Sequence, residues 1–159
     1  RPGRSGRPLS MRVNVDVTLP CTPARAFAEL DDLQRYPHWM GLVHAATPEP
    51  GGDAWAVELR GKVGPFTRSK KLRMVRTAVD AAGTSCSVRF ERRDIDGREH
   101  GTWVLDASVI QRDDVDSGAA CDVRVSLEYG GRLWSGVVDA VLRDEIERSK
   151  QRLREIVTR

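Results

Sequence analysis

An α+β domain, with seven antiparallel strands and one long terminal helix, is what this sequence predicts. Three observations carry the prediction. Between residues 12 and 129 apolar side chains recur at every second position, in segments separated by turn signals such as Pro-Gly-Gly at 50–52 and Asp96-Gly97. After Gly130-Gly131 the period changes to that of a helix, and two short helical segments stand alone after the first strand.

The first ten residues, RPGRSGRPLS, mix glycine, proline, serine and arginine without periodicity. They read as a flexible tail or an appended remnant (1–10) ahead of a single domain over 11–159. In MRVNVDVTL, Val13, Val15, Val17 and Leu19 share one face and Arg12, Asn14, Asp16 and Thr18 the other, which is the pattern of a half-buried strand. Pro20 ends it. Thr22 is placed as an N-cap with Pro23 at the first helical position, and Ala24, Phe27 and Leu30 follow at amphipathic spacing. Asp31 or Asp32 caps a second short helix, and Pro37 is expected to stop it at Tyr36, because the residue before a proline is pushed out of the helical region. Two helices this short cannot make a core by themselves. Their expected task is to shape or close something, with Trp39 just beyond the break.

From Leu42 the chain turns strand-rich. A short piece covers Leu42 to Ala46, and in the next, Ala54 to Arg60, Trp55, Val57 and Leu59 alternate with Ala56, Glu58 and Arg60. Phe66 to Val79 follows, with Phe66, Leu72 and Met74 in one register. Ala81-Ala82-Gly83 turns the chain into Ser85 to Arg92, where Cys86, Val88 and Phe90 face in. Trp103, Leu105, Ala107 and Val109 mark the sixth strand. DDVDSG is the next turn, and Cys121, Val123, Val125, Leu127 and Tyr129 mark the seventh strand. From Leu133 to Val157 one apolar stripe comprises Trp134, Val137, Val138, Val141, Leu142, Ile146, Leu153 and Ile156. At ~1.5 Å per residue this helix reaches nearly 40 Å, enough to cross a whole sheet.

Bulk properties narrow the function. A chain of 159 residues suits one domain; at that size about 68–70% of the unfolded surface is buried, so the fold needs no disulfide or metal and has room for a cavity. Hydrophobic content of 40% beside 31% charge describes a soluble globular protein, with no apolar run near membrane-spanning length and no secretory pattern. Cys21, Cys86 and Cys121 are odd in number and far apart, without a Cys-x-x-Cys or Cys/His cluster. Neither a disulfide framework nor a metal site is indicated, no cofactor is expected, and a reducing, cytoplasmic setting fits. A net charge of +3, with lysine only at Lys62, Lys70, Lys71 and Lys150, is too mild to imply nucleic acid. Nucleophile elbow, zinc helix, phosphate loop and dinucleotide fingerprint are all absent from the sequence.

Within this layout the segment DDLQRYPHW resembles the D-x-x-x-Y-P-x-W pattern that closes the second short helix in many bacterial proteins of the START-like (SRPBCC) superfamily. Those proteins are described as polyketide cyclase/dehydrase or lipid transport proteins. Asp32, Tyr36, Pro37 and Trp39 stand at the pattern's positions, and the likeness of layout runs from about Met11 to Val157. The resemblance implies a helix-grip fold, a curved seven-stranded antiparallel sheet wrapped around the C-terminal helix. It implies a hydrophobic cavity between them that opens near the short helices. Members bind lipids, sterols, polyketides or plant hormones; some are aromatase/cyclases, and others assist quinone function or bind ribosomes. The superfamily has no universal catalytic residue, so no catalytic role carries over by position.

Read from the residues, the inward registers offer Trp55, Phe66, Phe90 and Trp103, with Trp39 and Trp134 near an entrance. These either stack on a flat apolar ligand or fill a core. The register of Phe66, Leu72 and Met74 also contains Arg68 and Lys70, and Arg92 and Glu99 fall into the neighbouring inward sets. One reading is a charged cluster in which Arg68 and Arg92 bind a carboxylate or phosphate and Glu99 balances them. The other is a bulge near Ser69 that turns these charges to solvent, and inward charge can also protect a sheet edge. For enzyme chemistry the available acid/base groups are Tyr129, His44, His100 and Glu99, with His44 and His100 expected at the surface or at strand ends, which leaves Arg68, Tyr129 and Glu99 as the candidates for catalysis. Arg73, Arg76, Arg89 and Arg93 are assigned to outward registers, as a basic stripe for anionic lipid or RNA or simply as a solvated face. The leading expectation is therefore a protein that binds a hydrophobic small molecule through Trp39, Trp55, Phe66, Arg68, Lys70, Met74, Phe90, Arg92, Trp103, Tyr129 and Trp134. A cyclase or dehydratase using the same cavity comes second, with Arg68 or Tyr129 stabilising an oxyanion. A ribosome- or membrane-binding protein comes third.

Overall fold

The computed structural model describes the chain at residues 10–63, 65–113, 119–130 and 135–159, the side chains of 10, 63, 135–142 and 144 excepted. The expected tail (apart from Ser10), most of the DDVDSG turn and Trp134 lie outside the described residues, as do the side chains of Val137, Val138, Val141 and Leu142. Strand β1 covers Ser10–Leu19, so it takes up the last residue assigned to the tail. Helix α1 (Pro23–Phe27) and a 3-10 helix (Leu33–His38) follow. Then come β2 (Val43–Pro48), β3 (Ala54–Val63), β4 (Phe66–Ala82), β5 (Ser85–Arg92), β6 (Trp103–Gln111), β7 (Cys121–Gly130) and helix α2 (Ser135–Val157).

The seven strands form one antiparallel sheet in the order β1-β7-β6-β5-β4-β3-β2. Only β1 is displaced from sequence order. It crosses to the far edge and pairs with β7 from Ser10↔Gly130 to Leu19↔Cys121, tying the start of the domain to its last strand. The curved sheet and the terminal helix make the helix-grip arrangement, with α2 packed on β1 and β3, α1 on β5 to β7, and the 3-10 helix on β2. One core runs through it, and the inward alternation expected for β5, β6 and β7 is present.

The short helices differ from expectation in an instructive way. Thr22 caps α1 by accepting from the Arg25 N–H at 3.2 Å, but Ala24 faces solvent while Pro23, Ala26 and Phe27 are buried. Pro37 lies inside the second helix rather than after its end. The tighter 3-10 winding carries the chain on to His38, and Trp39 N donates to Tyr36 O at 3.1 Å. Segments too short to form a core alone nevertheless contribute Ala26, Phe27, Leu30, Leu33, Tyr36 and Trp39 to the shared one.

Strand β4 decides where several charges go. Its pairing with β3 is regular past Ser69 (Arg60↔Ser69, Gly61↔Arg68), so the bulge considered there is absent. The irregularity lies instead against β5, between Arg76 and Ala78, with Thr77 as the extra residue. Arg76, ahead of that bulge and two residues beyond buried Met74, keeps the facing of Met74: it stands opposite Phe90, on the inner side of the sheet, and not in the outward stripe. Ladder pairing with β5 begins only at Met74↔Arg92, so residues 66 to 72 extend past β5 and pair with β3 alone. Phe66, at the tip of that overhang, is 65% exposed, and Arg68 is exposed too. Neither forms the cavity wall that its register suggested.

Candidate functional site

The motif around Asp32 works as a set of hydrogen bonds, those of Tyr36 and Trp39 buried. Asp32 Oδ1 accepts from Gln34 N at 2.9 Å, capping the 3-10 helix, and from Trp55 Nε1 at 3.2 Å. The Tyr36 hydroxyl donates to Leu30 O at 2.8 Å, and Trp39 Nε1 donates to Glu29 O at 3.2 Å. Burial, and next the charge of Asp31, push the Tyr36 pKa upward, so the phenol stays a donor. Ring contacts complete the set: Tyr36 and Trp39 centroids lie 4.7 Å apart, Tyr36 and Phe90 6.2 Å, Trp55 and Phe90 5.4 Å. Arg76 crosses over Trp55 at 5.7 Å, donating to Asp31 O at 2.8 Å and to Asp53 Oδ1 at 2.9 Å. Trp39, Tyr36, Phe90 and Trp55 therefore form a chain of ring contacts that stitches the short helices to the sheet. Trp39 is buried, where an entrance position was expected.

Glu29 anchors the same segment to the terminal helix. Only 2% exposed, its Oε2 meets Arg25 at 2.9 Å and Arg35 at 3.5 Å, while Arg25 also donates to Ile156 O near the end of α2 at 2.9 Å.

The charged set foreseen from the sequence is dispersed. Arg92 does point inward and is only 5% exposed, but its guanidinium is engaged by Asp94, by Gly101 O at 3.4 Å and by His100 Nδ1 at 3.0 Å. Arginine can only donate, so His100 accepts at Nδ1 and gives its Nε2–H to Asp96 at 2.9 Å. Half-buried Lys70 lies near this group; burial and then Arg92 lower its pKa, against the opposing pull of Asp94. Glu99 is exposed, because β6 starts only at Trp103 and no ladder holds residue 99 in an inward register. Tyr129 is fully buried and stacks on Trp103 at 5.7 Å; Met74 is buried as well. The three candidates for catalysis are thus split, Arg68 and Glu99 facing solvent and Tyr129 inside. On the outer face Arg73 pairs with Glu49 at 3.0 Å, Arg89 with Glu91 at 3.2 Å and Arg93 with Glu91 at 3.3 Å. A stripe interleaved with carboxylates is a weak attractor for anionic lipid or RNA.

Among the described residues, sheet and helix leave an apolar space between them. Val15, Val17 and Val125 of the sheet, Trp39, Met40 and Leu42 of the link into β2, and Ile146 and Leu153 of α2 line an apolar pocket of about 40 Å³. On the other side of the same link an open cleft of about 500 Å³ is lined by Gly41, His44, Arg60, Gly61, Lys62, Thr67, Glu145 and Arg148. Glu145 borders both spaces. Met40 and Leu42 face the pocket and Gly41 the cleft, so this three-residue link is the partition. A Cβ on Gly41 would stand 2.5 Å from Glu145 Oε2, so a larger residue there would have to push that carboxylate aside. Sequence reasoning singled out none of Gly41, Arg60, Lys62, Glu145 and Arg148 for this site. One signal was present: Glu145 falls at helical spacing between Leu142 and Ser149, an acid on the apolar stripe.

A family model described as "Polyketide cyclase / dehydrase and lipid transport" matches residues 10–158. The chain belongs to this family. Solved structures agree on the START-like fold. A START superfamily protein from Mycobacterium smegmatis superposes with a TM-score of 0.63 at 12% identity, covering 92% of this chain and 97% of the other. A conserved protein from Geobacillus kaustophilus gives 0.60 at 12% identity, covering 93% and 95%. The Zhui aromatase/cyclase of a Streptomyces species gives 0.59 at 10% identity, covering 95% of each chain. At such identities the likeness concerns the fold. A search of the curated proteins returns no match. No helix among the described residues of this family member is long and apolar enough to cross a membrane.

Proposed function

We propose that this chain binds a hydrophobic small molecule between the sheet and α2, admitted at the partition formed by Met40, Gly41, Leu42 and Glu145. The observation that carries the reading is the apolar pocket beneath that partition, a gap walled by side chains of β1, β7 and α2 and neighboured by an open cleft. The family description, which joins lipid transport to cyclase chemistry, supports it. Its volume of about 40 Å³ is far below the ~300–1,000 Å³ of ligand pockets. Binding therefore requires the Met40–Leu42 link or α2 to move outward. Binding is preferred to cyclase chemistry because Arg68 and Glu99 lie in solvent, away from buried Tyr129. A cytoplasmic setting belongs to the same reading, supported by Cys21, Cys86 and Cys121 as free, buried thiols.

Denaturing mass spectrometry of freshly purified protein tests the proposal. A stoichiometric lipid-like compound is expected from the native chain and a much smaller amount from Leu153→Trp, which fills the pocket. Protein that emerges empty from every expression condition, and takes up no apolar probe afterwards, would sink it.

A further inference from the structure

The cleft outside the partition carries a charge pattern that the pocket lacks. Arg60, Lys62 and Arg148 line it, with Glu145 the one carboxylate among the lining residues. That carboxylate lies 3.1 Å from Arg148 and 3.6 Å from Arg152 of its own helix. Arg60 is offset by Glu58 at 2.9 Å, whereas Lys62 has no ion pair among the described residues. Counting Arg60, Lys62, Arg148 and Arg152 against Glu58 and Glu145 leaves an excess of positive charge beside the apolar pocket. The apolar side has the opposite character. Its lining is aliphatic and aromatic apart from Ser149, the bordering Glu145 and Lys150, whose ammonium is paired with Glu147 at 3.3 Å.

We infer that the ligand is an amphipath with an anionic head group, a carboxylate or a phosphate monoester. Its head lies in the cleft against Lys62, Arg60 and Arg148, and its apolar chain passes the Gly41 partition into the pocket. This deepens the reading given under Proposed function and rests on it. Glycine at 41 suits such a ligand, because the thinnest point of the link falls where head and chain must join across it. The inference also moves the anion contact away from Arg68 and Arg92, the first of which is solvated while the second is engaged by Asp94, His100 and Gly101. Arginine and lysine at a partly open mouth bind an anion without the full cost of burying it.

Titration of the protein with dodecanoate, dodecyl phosphate and dodecanol, each below its micellar concentration and followed by calorimetry, separates the possibilities. Both anions are expected to bind about tenfold more tightly than the alcohol, the scale of one charge-assisted contact. That preference should shrink as salt rises, and collapse in the Lys62→Gln/Arg148→Gln double variant, whose substituted side chains are exposed. A preference for only one of the two anions would identify the head group. Equal affinity for anions and alcohol would overturn this inference and leave the pocket reading standing; so would an anion preference unmoved by both salt and substitution. Failure of all three compounds to bind would overturn the pocket reading and this inference together.

Discussion

Asp32 illustrates how much a single side chain holds here, since one carboxylate oxygen serves both the cap of the 3-10 helix and the indole of Trp55 on the sheet. Removing it exposes two donors to different fates. The helix N–H can turn to water, but Trp55 is 2% exposed and its N–H would be left without an acceptor. A lost cap costs about 1 kcal/mol and a buried orphan donor about 1–3 kcal/mol, so Asp32→Ala should destabilise the fold by roughly 2–4 kcal/mol in urea unfolding. Asp32→Asn keeps an acceptor oxygen and should cost about 1 kcal/mol or less. Equal losses for the two variants would show that charge, rather than the shared acceptor, is what matters at this position.

At the scale of elements, the short helices act as a fastener between sheet and terminal helix. Arg25 reaches from α1 both to Glu29 and to the Ile156 carbonyl, one of the acceptors that the end of α2 leaves without an intrahelical donor. Arg25→Ala should therefore loosen the last turn of α2 before it affects the sheet. Native-state hydrogen exchange is expected to speed up by about tenfold over residues 153–157, with β5 to β7 little changed. Uniform acceleration across the chain would mean that Arg25 supports global stability instead.

For the whole molecule, the core encloses thiols that resist ionisation. Burial raises the pKa of Cys21 and Cys86, and that of Cys121 to about 12. An acid whose folded pKa is raised keeps its proton longer when folded. From about pH 9.0, where the unfolded thiols ionise, stability should therefore fall as pH rises, until about 12 for Cys121. Each such group costs about 1.4 kcal/mol per pH unit within its window. Urea midpoints measured between pH 8 and 10.5 should decline, and less steeply in Cys121→Ser. Identical slopes for the two proteins would remove Cys121 as the source.

What the sequence determined by itself was the succession of elements. Alternation along Val13 to Leu19 and Cys121 to Tyr129, the turns at 50–52 and 96–97, and the period change after Gly130 are local signals, readable because strand and helix periods differ. The motif at Asp32, Tyr36, Pro37 and Trp39 led to the right fold by its resemblance to START-like proteins. Tertiary structure decided which inward positions are truly inside. Phe66 and Arg68 share a register with buried Leu72 and Met74, yet they lie on an overhang that β5 does not reach. Thr77, bulged out of the β4–β5 ladder, reverses the facing of the residues beyond it, so that Val79 rather than Ala78 stands opposite buried Val88, a one-residue event that alternation cannot foresee. The partition at Gly41 and Glu145 joins a loop to a helix far away in sequence. Such a contact depends on how α2 lies across the sheet, and only the packing of the whole chain fixes that.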